Sequence, residues 1–285
     1  MRGESIMIQH IFVQGAGVMG SGIAQVSAQA GFDVIMMDLS IELVQKGMDN
    51  INKSLQRSLD KGKIKTEEKV AIVSKIKPVT DLKQASDADL AIEAVFEDLE
   101  VKKKVFRDLD DICAPHAILA SNTSALPIAA IAAVTKRPEK VLGLHFMNPV
   151  PVMRGVEIIR TRTTSDETMV IGRKYLKRLD KEVVEAVDYA GFIVSRVLDA
   201  MLNEAVKCVM DGNKPEEIDK AMKVCTNFPM GPLELIDLAG VDIVLHGLET
   251  MEKDFGDRYH PAPLLRQMVR AGHLGRKAKK GFYNY

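Results

Sequence analysis

At 285 residues, with 46% hydrophobic and 27% charged side chains, the chain is long enough for two domains and has an ordinary globular composition. Lysine plus arginine and aspartate plus glutamate both number 39, so the formal net charge is zero. That balance argues against nucleic acid as the main partner and leaves only a local basic patch for phosphate-rich ligands. No apolar run is long enough to span a membrane. The three cysteines, Cys113, Cys208 and Cys225, lack CxxC spacing. The sequence therefore predicts a cytoplasmic, soluble protein in a reducing compartment, with no metal site and no membrane partner. The N-terminal "MRGESIMIQHIFVQGAG" runs into a Gly-rich turn with no cleavage site, and is not expected to be a leader.

In chain order, "HIFVQ" (10–14) reads as a strand and 18–30 as a helix of small residues. "FDVIMMD" (32–38) reads as a second strand, followed by polar helices to about residue 75. "ADLAIEAV" (88–95) is a strand and "LEVKKKVFRDLDDIC" (99–113) a helix. Strands follow at "AILASN", "KVLGLHF" and "GVEIIRT", then a helix over 166–179 and a strand at "KEVVEAV". This alternation predicts an α/β, Rossmann-type domain over 1–187, with a mostly parallel sheet covered on both faces. From 188 to 285 the periodicity is helical, broken at Gly212, Pro215, "FPMGP" and "HPAP", which predicts an all-helical second domain.

"VQGAGVMGSG" places Gly15, Gly17 and Gly20 in G-x-G-x-x-G spacing, with Val18 and Met19 opening the helix. The run sits between a predicted strand and a predicted helix, where glycines admit a tight turn, a pyrophosphate and close helix packing. The helix N-terminus then meets the phosphate charge. Asp38 ends the second strand, where a carboxylate accepts from the adenine ribose hydroxyls; it could also cap the next helix. Leu39 and Ser40 follow it, with no arginine to receive a 2′-phosphate. NAD is favoured over NADP. Residues 53–69, "KSLQRSLDKGKIKTEEK", form a basic arm within the helical stretch of about 40–75, which read alone is a solvated helix pair.

Two polar side chains sit in apolar company: His145 in "GLHF" and Glu157 between Val156 and Ile158. Buried alone, either would be costly. With "SNTSALPI", "GLHFMNPVPVM", "GVEII", "NFPMGPLELIDLAGVD" and the final "GFYNY", they complete a pattern that resembles the short-chain L-3-hydroxyacyl-CoA dehydrogenases of the 3-hydroxybutyryl-CoA type, over essentially the whole chain.

The resemblance implies an NAD-dependent oxidoreductase interconverting (S)-3-hydroxyacyl-CoA and 3-oxoacyl-CoA, with His145 and Glu157 as the proton-transfer pair. It implies that Ser124 and Asn148 line the reacting carbon. Glu97, Lys102 and Lys277 match positions on the cofactor, and Ser54 and Lys61 match positions holding coenzyme A. It also implies a homodimer made through the helical domain. Three positions depart from the pattern. Ser195, in "GFIVSR", replaces an asparagine that contacts substrate; Ala190 replaces a proline; and Lys279, in "GRKAKKGFY", replaces a glycine. Two other readings remain open: a dehydrogenase of free hydroxy acids, and a non-catalytic relative that keeps the cofactor.

Overall fold

The computed structural model describes residues 8–285; the first seven residues of the segment weighed as a leader lie outside the described residues. The chain divides into a unit ending at Asp188 and a second unit, Tyr189–Tyr285.

The first unit opens β1 (His10–Gln14), α1 (Val18–Gln29), β2 (Asp33–Met37), α2 (Ile41–Asp60), α3 (Thr66–Ser74) and β3 (Ile76–Val79). It continues β4 (Leu90–Glu93), α4 (Leu99–Ile112), β5 (Ile118–Ser121), α5 (Ile128–Ala132), β6 (Val141–Phe146), β7 (Gly155–Arg160), α6 (Asp166–Arg178) and β8 (Glu182–Val187). The eight strands form one sheet in the order β3-β2-β1-β4-β5-β6-β7-β8. Pairing is parallel throughout except between β6 and β7. The predicted strands and helices therefore form the expected mostly parallel sheet, with one hairpin-like reversal near its far edge.

Strands β4, β5 and β6 are buried along their whole length, as a sheet covered on both faces requires. Ile23, Val26, Ile51, Leu55, Leu142, Met169 and Leu176 join α1, α2 and α6 to one core. Helices α4 and α5 pack on β4, β5 and β6. Edge strand β3, "IKPV", is an addition to the sequence reading: a lysine and a proline masked it, and both are tolerated where one side of a strand is unpaired. Strand order reverses direction between β1 and β4, the switch point at which open α/β sheets take ligands at the strands' C-terminal ends.

The second unit contains α7 (Val194–Met210), α8 (Pro215–Thr226), α9 (Pro232–Ala239), α10 (Val241–Phe255) and α11 (Pro263–Arg270). Leu202, Val206, Leu233, Ile236, Val244, Leu248 and Leu265 form its core. Buried Asp219 and Asp237 tie it together. Asp219 accepts from the Leu233 and Glu234 amides and the Tyr283 hydroxyl; Asp237 accepts from the Phe282 and Tyr283 amides. The "GFYNY" tail is thus clipped to the helices by buried carboxylates. Among the described residues no helix is long and apolar enough to cross a membrane.

Candidate active site

The glycine run lies at the switch point. Gly15 has φ +103°, and a Cβ there would stand 2.5 Å from the Ala94 carbonyl oxygen. A Cβ on Gly20 would stand 1.7 Å from the Gly15 carbonyl oxygen, so only glycine lets α1 start so close to β1. Nothing lies within 4 Å of a Cβ built on Gly17. The α1 N-terminus has no side-chain cap and no acidic residue in its first turn. Its first amides, including those of Val18, Met19 and Gly20, lack intrahelical partners, as at any helix start. The residues present fit a pyrophosphate.

Asp38 lies at the end of β2. Its Oδ2 accepts from the Ala16 amide at 2.7 Å and its Oδ1 from the Leu39 amide at 2.7 Å. The carboxylate is anchored to the glycine turn and keeps acceptor capacity for ribose hydroxyls. Ser40 rather than Asp38 caps α2, accepting from the Leu43 amide, so the capping alternative falls away.

His145 and Glu157 are cross-strand partners in the antiparallel pair β6 and β7. Side chains at facing positions share a face, so strand register alone brings imidazole and carboxylate together. Nδ1 of His145 lies 2.7 Å from Oε2 of Glu157, and the residues are 5% and 1% exposed. A carboxylate on one ring nitrogen fixes the tautomer and stabilises the imidazolium that forms on proton uptake.

The stretch 121–124 is held residue by residue. Ser121 donates to Glu93 Oε2 at 2.6 Å. The Asn122 side-chain oxygen accepts from the Phe146 amide, next to His145, at 3.0 Å. The Thr123 hydroxyl donates to Glu97, whose same oxygen accepts from the Ser124 amide at 3.0 Å. The Ser124 side chain is on an exposed residue. Lys102 is buried, with its ammonium 2.5 Å from Glu93 and 3.2 Å from Glu97. It lies beneath the surface rather than on it.

A cavity of about 210 Å³ is lined by Ser21 and Gln25 of α1, by Lys53, Ser54 and Arg57 of α2, and by Asn148. It unites Ser54 and Asn148, which stand far apart in the chain. Lys53 and Arg57 were not singled out in the sequence, although Arg57 follows Ser54 by one helical turn and so shares its face. Lys61 ends α2 as an exposed C-cap residue. Loop 147–154 is braced by Lys181, whose ammonium donates to the Val150 and Met153 carbonyls at 2.7 and 2.6 Å.

The remaining assigned residues belong to the helical unit. Ser195 is half-buried in the first turn of α7. Lys277 is exposed and paired with Asp242 at 2.6 Å. Among the described residues no cluster of three or more His, Cys, Asp or Glu side chains could hold a metal ion.

Two family models cover this chain: the 3-hydroxyacyl-CoA dehydrogenase NAD binding domain over residues 10–189 and the 3-hydroxyacyl-CoA dehydrogenase C-terminal domain over 191–285. A probable 3-hydroxybutyryl-CoA dehydrogenase of Bacillus subtilis is 48% identical, over 98% of each chain. The 3-hydroxybutyryl-CoA dehydrogenase of Bradyrhizobium diazoefficiens is 43% identical, over 98% of this chain and 96% of that one. The crystal structure of (S)-3-hydroxybutyryl-CoA dehydrogenase from Ralstonia eutropha matches with a TM-score of 0.92 and 41% identity, over 98% of this chain and 99% of that one. The chain belongs to the 3-hydroxyacyl-CoA dehydrogenase family, as an NAD-dependent oxidoreductase of 3-hydroxyacyl-CoA.

Proposed function

We propose that the preferred substrate carries a short acyl chain, 3-hydroxybutyryl-CoA in one direction and acetoacetyl-CoA in the other, and that His145 and Glu157 carry the proton transfer. The buried 2.7 Å contact between His145 and Glu157 on facing strands supports the proton-transfer pair, and the likeness to proteins named 3-hydroxybutyryl-CoA dehydrogenase supports the short acyl chain. In oxidation the ring nitrogen opposite that bond, Nε2, takes the proton from the 3-hydroxyl. The C–O single bond becomes a carbonyl as hydride leaves carbon 3, and Glu157 stabilises the imidazolium. NAD, when bound, accepts that hydride. In reduction every transfer runs backward, and the imidazolium returns the proton to the oxygen.

Ser124 and Asn148 are assigned to the substrate oxygen and the pocket around it. Gly15, Gly17, Val18, Met19, Gly20, Asp38, Glu97, Lys102 and Lys277 are assigned to the cofactor. Ser54 and Lys61 are assigned to coenzyme A, and Ser195 to the substrate. The cavity shared by Ser54, Arg57 and Asn148 supports a thioester with a phosphate-bearing tail over a free hydroxy acid.

The test is a steady-state screen. Acetoacetyl-CoA should be reduced with NADH, with free acetoacetate inert and NADPH at least about tenfold poorer, because Asp38 repels a 2′-phosphate. Equal use of the two cofactors removes the Asp38 assignment, and activity on the free acid alone removes coenzyme A.

The helical unit is proposed to dimerise. Ile193 before α7, Val197 on α7, Val224 on α8 and Ile243 on α10 remain exposed, whereas most of "PLELIDLAGVDIVLHGL" is consumed by the unit's own core. Sedimentation at micromolar concentration checks this, a clean monomer being the adverse result. The three free cysteines support the proposed cytoplasmic placement; recovery of the protein outside the cytosolic fraction of its source cells would count against it.

A further inference from the structure

One buried carboxylate has no part in the proton transfer. Glu93 ends β4 with 0% exposure. Its Oε1 accepts from the Lys102 ammonium at 2.5 Å and from the Val95 amide at 2.7 Å, and its Oε2 accepts from the Ser121 hydroxyl at 2.6 Å. Lys102, 1% exposed, extends the chain of charge to Glu97. Glu97 in turn holds the Thr123 hydroxyl and the Ser124 amide. Two carboxylates and one ammonium therefore run from the sheet interior to the residue assigned to the substrate oxygen.

Such an array is a poor source of stability. Desolvating the charges costs as much as their attraction returns, and an apolar pair of equal volume would serve the core as well or better. What it supplies is placement. Glu93 grips the start of the 121–124 stretch through Ser121 and its end through Lys102 and Glu97, so one fixed carboxylate sets both. The far end also bears on function. Glu97 retains partial exposure, yet one of its oxygens is directed to the amide of residue 124.

We propose that Glu93 is a positioning residue of the dehydrogenase reaction, acting through Lys102 and Glu97 to fix Ser124 against the substrate oxygen. On this assignment Lys102 serves the site from beneath, linking the two carboxylates. The inference rests on the proposed role of Ser124, so its test carries Ser124→Ala throughout. A donor that must meet developing charge loses effect when its loop shifts by a fraction of an ångström.

The experiment is a mutant cycle read as kcat for acetoacetyl-CoA reduction at saturating NADH. Glu93→Gln keeps the shape and removes the charge, and should lower kcat by about five- to thirtyfold while KM for NADH moves less than about threefold. In the Ser124→Ala background the same change should cost less than about twofold, because the two residues act as one unit. The double change Glu93→Gln with Lys102→Met exchanges the buried pair for neutral side chains, which commonly preserves folding, and still cuts the link to Glu97. It should melt near wild type yet keep the loss in kcat. Full multiplication of the Glu93→Gln and Ser124→Ala effects overturns the inference, as does a well-folded double variant with wild-type kcat. If Ser124→Ala alone leaves kcat unchanged, the Ser124 assignment fails first and the inference goes with it.

Discussion

The site residues carried by the sheet and those carried by helices are held in different ways. His145, Glu157, Glu93 and Ser121 sit on strands, buried and bonded at 2.5–2.7 Å. Ser54, Lys61, Ser195 and Lys277 sit on helices or their ends, half-buried or exposed. Proton transfer needs a donor and acceptor placed to within a fraction of an ångström, and strand register supplies that. Gripping the phosphates of a long ligand needs reach, and a lysine on a flexible stem supplies that. The division predicts that changes on strands lower kcat and changes on α2 raise KM.

That prediction has its largest effect at His145. His145→Gln should lower kcat by roughly 10²–10⁴, about 3–5.5 kcal/mol in the barrier, with NADH affinity near wild type. Glu157→Gln should follow it at a smaller loss. Lys61→Ala should instead raise KM for acetoacetyl-CoA several-fold and leave kcat within about threefold. Were Lys61→Ala to collapse kcat, or His145→Gln to act only on KM, the two regions would not divide as drawn.

A second contrast lies in the carboxylates themselves. Those buried in the sheet unit are all bonded, whereas Asp199 on α7 is reached by no hydrogen bond or ion pair among the described residues. It faces Gly247 of α10, where a Cβ would stand 2.6 Å from its Oδ2. Burial pushes its carboxyl up to about 7 from the ordinary 3.8. With the folded value above the unfolded one, the folded state binds the extra proton between the two. The stability this group contributes is then greatest below about pH 4, falls through the interval and levels off above about 7. Asp199→Asn cannot titrate, so it should stabilise the protein at pH 8, by about 1–3 kcal/mol once the water kept by a half-buried group is allowed for. At pH 4 the gain should vanish. Denaturant melts at both pH values decide it, and an equal effect at the two sinks the account.

The helical unit also holds the departure assigned to the substrate. Ser195 stands at the start of α7 where the resemblance expects asparagine. Its hydroxyl falls short of an amide by about one bond length, on the order of 1.5 Å. Ser195→Asn should raise kcat/KM for acetoacetyl-CoA by roughly three- to thirtyfold, about 0.7–2 kcal/mol. If activity falls on every acyl-CoA tried, serine is an adapted contact and its reading as a loss is wrong.

How much of this was legible in the sequence follows from the range of each interaction. The glycine turn is local: G-x-G-x-x-G after a strand needs only its own residues to make sense. His145 and Glu157 stood out as polar groups in apolar runs, but their pairing depends on an antiparallel register that no periodicity specifies. The family resemblance supplied it. The Glu93 network was missed because Lys102 sits among "KKK" on a polar helix and looks solvated. Its position carried a signal nonetheless, since residues 102, 105, 106 and 109 form the buried stripe of α4. A lysine on that stripe requires a buried partner, and Glu93 closes the preceding strand. Arg57 escaped in a milder way: it shares a face with Ser54, but a basic helix face has an ordinary explanation in solvation.

The smallest expected effect tests whether the helical unit's departures are tuned or merely tolerated. Lys279 holds φ 58° and ψ 9°, in the left-handed region, at the position where the resemblance expects glycine. A lysine there strains its Cβ against the backbone, by roughly 1–2 kcal/mol. The conformation is held by the turn: the Lys279 amide donates to Arg276, and its carbonyl accepts from the Tyr285 amide, each at 3.0 Å. Lys279→Gly relieves the strain but gives the unfolded chain more freedom, a cost of about 0.4–1 kcal/mol. The balance favours glycine by about 0.5–1 kcal/mol, or roughly 1–4 °C in Tm for a chain of this size. Activity should not change. A Tm that stays level or falls would mean that the lysine side chain contributes a contact worth as much as the strain it carries, and the departure would count as tuned.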